Sequence, residues 1–128
     1  MQRIILLLAL LAVTGCVTTA QELINTSENK KTISLDQNYQ AVYRDVLTVA
    51  RNCEAGPVNL VVSNRVDGQL YNELGYAEIS FYQANLRPLH LVYLKIAKVG
   101  NGSEVMIYAS HRNYLRIFEE YVRGKKDC

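Results

Sequence analysis

Two imidazoles, His90 and His111, and three thiols, Cys16, Cys53 and Cys128, are the residues of this 128-residue chain best suited to chemistry. A hydrolytic site needs a nucleophile with a base in reach, and a zinc site needs three or four ligands at usable spacing. The histidines fall near the start of one predicted strand and just past its hairpin partner, which would bring them to one end of a sheet. No carboxylate-rich segment joins them, so a surface or strand-edge place is expected for each. No Cys-x-x-Cys pair marks a redox site. Glu119 and Glu120 fall on the wet side of a predicted helix, where they read as solvating charges. Gly100-Asn101-Gly102 lacks the Lys-Ser/Thr of a phosphate-cradling loop and joins strand to strand. The expectation is a noncatalytic protein with no metal and no bound cofactor.

Aromatic composition is the more unusual feature: nine Tyr and two Phe, with no Trp. Tyr71, Tyr76, Tyr82, Tyr93 and Tyr108 all fall in predicted strands, and Tyr76 and Tyr82 share the face opposite Ile79 and Phe81. A tyrosine buries an apolar ring and keeps a hydroxyl for water or a partner, so Tyr76, Tyr82 and Tyr93 form a candidate interaction surface. Cross-strand pairing of exposed strands is the competing reading, and tyrosine serves that equally well.

The N-terminus says where such a surface would work. Arg3 precedes an uninterrupted apolar run from Ile4 to Val13, the length of a signal-peptide core. As a helix it would span only about 15 Å, half of a bilayer's hydrocarbon. The residues that follow, Val13-Thr14-Gly15-Cys16, resemble the lipobox of bacterial lipoproteins, in which an aliphatic residue and two small ones precede the cysteine. That resemblance covers the first 16 residues. It implies diacylation of the Cys16 thiol, cleavage between Gly15 and Cys16, and acylation of the new amino group. In that family an aspartate after the cysteine favours retention in the inner membrane. Val17 stands there, so outer-membrane sorting with a periplasm-facing domain is expected. An ordinary secretory signal cut near Ala20 is the alternative. Three acyl chains would anchor the protein durably, since two lipid signals already suffice.

With Cys16 lipidated, Cys53 and Cys128 remain in a compartment where oxidation is normal. Each sits just beyond a predicted helix terminus, and two helices on one sheet face would let them meet. An intramolecular disulfide is expected; an intermolecular bridge through Cys128 and free thiols with a buried Cys53 are the alternatives.

The predicted elements organise these residues. Residues 16–31, mostly small or polar, read as a lipidated tether long enough to hold a domain several nanometres off the lipid. Thr32 to Leu35 reads as a short strand. A helix follows, capped by Ser34 with Gln37 or by Asp36, with Tyr39, Val42, Tyr43, Val46, Ala50 and Cys53 in one stripe and Gly56-Pro57 ending it. Period-two alternation then predicts strands at Asn59 to Val62, Gly68 to Leu74, Tyr76 to Gln83, Leu89 to Val99 and Ser103 to Ser110. A second helix over Asn113 to Arg123 buries Tyr114, Ile117, Phe118, Tyr121 and Val122. The order β-α-β-β-β-β-β-α implies an α+β domain over 32–128, a single antiparallel sheet of four to six strands with two helices on one face. Such an arrangement resembles the helix-grip topology of some accessory lipoproteins of outer-membrane assembly, a likeness of layout that transfers no residue roles.

A net charge of +2 with scattered basic residues excludes a nucleic-acid footprint. The expected partners are the membrane, through the lipid anchor, and another envelope protein. Two other functions stay open: an apolar ligand held in a cavity between sheet and helices, and peptidoglycan binding.

Overall fold

The structure, a computed structural model, describes residues 19–128. Gly15 and Cys16, the cleavage and lipidation positions, lie outside the described residues. Alternating apolar residues build one antiparallel sheet from β1 (Asn29–Leu35), β2 (Gly56–Pro57), β3 (Ser63–Tyr71), β4 (Tyr76–Ala84), β5 (Leu89–Val99) and β6 (Gly102–Ala109), in the order β1-β6-β5-β4-β3-β2. Two helices of strong amphipathic pattern, α2 (Tyr39–Glu54) and α3 (Arg112–Val122), cover one face. The α+β class and the single antiparallel sheet are therefore as expected. A third helix, α1 (Ala20–Thr26), is not.

Ala77, Ile79, Phe81, Val92, Leu94, Ile96, Val105 and Ile107 point from the sheet toward α2 and α3, and all are essentially inaccessible to water. Val42, Val46, Ala50, Phe118 and Val122 meet them from the helices. Phe81 and Phe118 stack at 5.8 Å, and Tyr114 meets the edge of Phe81 at 5.7 Å. Full burial of one such side chain contributes about 1.5–3 kcal/mol, which makes this layer the main source of stability.

From the start of α2 to β5 the chain departs from its expected course in four places. The helix cap is Asn38, whose side chain accepts from the Gln40 amide at 2.8 Å; Ser34 belongs to β1 instead. Asn59 to Val62 is a turn, because the Asn59 side-chain oxygen accepts from the amides of Val61 and Val62, each at 2.9 Å, and so draws the backbone out of a ladder. The strand paired with β4 runs from Ser63 to Tyr71 rather than from Gly68 to Leu74. It turns at Gly75, whose φ of 72° a residue without a Cβ adopts readily. In the β4–β5 pair, Phe81 faces Val92 and Tyr82 faces His90, leaving Leu91 as the extra residue of a bulge, buried in the core cluster.

The tether reading fails over most of its length. Thr19 caps α1, accepting from the Glu22 amide at 3.1 Å, and the helix packs on β5 and β6. Leu23 is buried there together with Tyr93, apart from the main core cluster and on the opposite face of the sheet. The Ser27 hydroxyl then donates to the Ala109 carbonyl, fixing the junction of α1 and β1 to the end of β6. Residues 19–31 therefore belong to the folded unit, which was expected to start at Thr32.

Past α3 the chain reverses at Gly124, φ 110°, and returns to α2. Cys53 and Cys128 are disulfide-bonded, with Cα atoms 5.4 Å apart, inside the range such a bridge requires. The Tyr121 hydroxyl donates to Glu54 at 2.5 Å beside the bridge. Glu119 does more than solvate: it pairs with Lys31 of β1 at 2.6 Å and with Arg123 at 3.1 Å, tying α3 to the edge strand.

Candidate binding surface

The face away from α2 and α3 is made of the residues that alternate with the core. Antiparallel register sets Tyr71 opposite Tyr76, Asp67 opposite Ser80 and Arg65 opposite Tyr82 across β3 and β4. Across β4 and β5 it sets Glu78 opposite Lys95, Ser80 opposite Tyr93 and Tyr82 opposite His90. Two clusters result. In the first, the Tyr71 and Tyr76 rings lie 4.9 Å apart, and the Lys95 ammonium sits 4.7 Å from the Tyr76 ring centre, held by the negative face of the ring. In the second, the Tyr82 ring stacks on His90 at 5.3 Å while its hydroxyl donates to Asp67 at 2.6 Å.

Protons on this face are held firmly. The Asp67 carboxylate that accepts from Tyr82 holds that phenol protonated above its ordinary range, and partial burial and the Asp67 charge add to the effect. Tyr93 is pushed up further, first by burial and then by donation to Glu78 at 2.9 Å. Burial lowers the His90 pKa, so its imidazole stays neutral into more acidic solution. With its phenolic proton committed to Asp67, Tyr82 offers a partner its ring surface and oxygen lone pairs, and Tyr76 offers ring surface.

Of the three tyrosines expected to share a contact surface, two are accessible on one face. Tyr76 and Tyr82 are half-exposed and lie on one face, at opposite ends of β4. Tyr93 is withdrawn, only 7% exposed, because α1 occupies the part of the face above β5 and β6. The signal for α1 was present in Thr19-Ala20-Gln21-Glu22, a capping box followed by Leu23 and Ile24. His90 and His111 both stand at the Ala109 end of the sheet, His90 against Tyr82 and His111 with its ring 6.1 Å from Tyr114. Among the described residues no three His, Cys, Asp or Glu side chains gather as a metal-binding set. No described helix is long and apolar enough to cross a membrane.

No protein-family model matches the chain, and no curated protein does. An open strip between α1 and β3 carries Tyr71, Tyr76, Lys95, Glu78, Tyr82 and Asp67.

Proposed function

We propose that the chain is a noncatalytic lipoprotein of the bacterial outer membrane, acylated on Cys16, whose periplasm-facing domain binds another envelope protein as an accessory or assembly factor. The observation that carries this reading is the tyrosine strip beside α1: α1 covers one half of the face and leaves Tyr76 and Tyr82 accessible on the other. Aromatic rings held rigid by their neighbours lose little freedom when a partner covers them, which suits them to contact surfaces. The disulfide between Cys53 and Cys128 fits an oxidising compartment. Apolar-ligand storage finds less support, since the space between sheet and helices is occupied by Phe81, Phe118, Ile79, Leu94 and Ile96.

A photo-crosslinking residue in place of exposed Gln69, opposite Glu78, tests the strip in intact cells. One reproducible adduct lost on Tyr76→Ser with Tyr82→Ser is the expected result. Adducts indifferent to those changes would remove the strip as the binding site.

A further inference from the structure

At the Ala109 end of the sheet two loops stand side by side, because Ser63 pairs with Ala84 and Gln83 with Leu89. The first, 58–62, carries Val58, Leu60 and Val61; the second, 85–88, carries Leu86. Leu60 and Leu86 are fully exposed, and Val58 and Val61 mostly so. Each loop is held by an asparagine that accepts backbone amides: Asn59 from Val61 and Val62, Asn85 from Arg87 at 2.7 Å. The leucines are thus presented outward on fixed turns. An open groove of about 1060 Å³ separates the loops, and Arg65 and Arg87 line it.

Charge and chain length name the occupant. The chain has no carboxylate between Glu54 and Asp67 or between Glu78 and Glu104, so the two loops and the strands beside them offer apolar tips and guanidinium groups. That combination matches the interface of an anionic bilayer, where leucines enter the acyl boundary and arginines meet phosphates. The other end of the sheet also exposes Leu74, but with Glu73 adjacent. Cys16 lies three residues before Thr19, a reach of about 11 Å at most. The seven-residue helix α1 adds about 10 Å, and its far end is fixed by Ser27 to Ala109, at the same end of the sheet as the two loops.

We infer that the 58–62 and 85–88 loops are a second membrane contact, seated in the bilayer that holds the acyl chains. The domain then lies against the lipid with its strands rising from it, and the tyrosine strip faces sideways along the membrane. This inference rests on the lipoprotein reading for the position of the anchor.

The absence of tryptophan makes the test direct. The full-length protein, carrying Leu60→Trp, Leu86→Trp or Leu74→Trp as its only tryptophan, is reconstituted in vesicles of phosphatidylethanolamine and phosphatidylglycerol with brominated acyl chains. Emission from positions 60 and 86 is expected to shift to the blue and lose most of its intensity to bromine, while position 74 stays at its position in water. Unquenched emission from both loops overturns the inference. So does a blue shift without vesicles that grows with protein concentration, which would seat a second copy there. Intact mass of the same samples separates the two readings. An acylated chain with unquenched loops keeps the anchor and loses the loop site; an unacylated chain with quenched loops keeps the loop site and loses the anchor.

Discussion

The two faces of the sheet are built by the same strands and stabilised by different physics. On the helix-covered face, alternate residues of β4, β5 and β6 are aliphatic or aromatic and interlock with α2 and α3 out of contact with water. On the other face, a short helix covers β5 and β6, and pairwise contacts among Tyr, Lys, Glu, Asp and His do the rest. Cross-strand pairs of this kind contribute about 0.2–1 kcal/mol each, so the strip outside α1 adds little stability and keeps its rings accessible. A strip that contributes little to the fold is available for a partner.

Substitutions on the two faces sharpen that contrast. Phe118→Ala removes a ring in contact with Phe81 and Tyr121, and a loss of about 3–5 kcal/mol is expected in urea or guanidinium unfolding. Tyr76→Ala measured the same way should cost under about 1 kcal/mol, and equal losses would erase the distinction between the faces. Replacing both Cys53 and Cys128 by Ala opens a loop with a sequence separation of 75, and a loss of about 2–4 kcal/mol is expected from the greater freedom of the unfolded chain. Reduction of the wild-type protein should reproduce it.

Leu23→Ala tests whether α1 is part of the fold or an extension of a tether. About 2 kcal/mol should be lost, together with faster amide exchange in residues 20–26 and greater exposure of Tyr93. Unchanged exchange there would return α1 to the tether.

The smallest effect is the alkaline one. Tyr82 on the open strip, Tyr93 beneath α1 and Tyr121 beside Glu54 all have pKa values raised above the ordinary 10.0 of the phenol. Their contribution is full below the unfolded value and is lost as pH rises from about 10 through the folded values, where the unfolded chain gives up protons first. Stability should therefore fall above pH 10, with three tyrosines ionising late by absorbance, and Tyr82→Phe should reduce the late group to two. Absence of these late ionisations would contradict the hydrogen bonds to Asp67, Glu78 and Glu54.

Legibility in the sequence followed the strength of local periodicity. The stripes of α2 and α3 and the alternation in β4, β5 and β6 were readable because burial on one face alone fixes the period. The Cys53–Cys128 bridge followed from pairing the two cysteines other than Cys16. Asn59 to Val62 looked like a strand because valine and leucine favour strands, yet one asparagine side chain supplied the turn its own acceptor. Only the Thr19–Glu22 cap announced α1, since seven residues give too few turns for a pattern. The burial of Tyr93 depends on that same helix, distant in sequence, and so has no local signal. Tyr76 and Tyr82 were placed on the right face because register there follows directly from the core residues between them.

Intact-mass measurement of the protein extracted from native membranes is the most direct test of the anchor on which the proposed envelope location depends. The expected species begins at Cys16 and carries three acyl chains. A mature chain beginning at any other residue, or one with an unmodified Cys16, would contradict it.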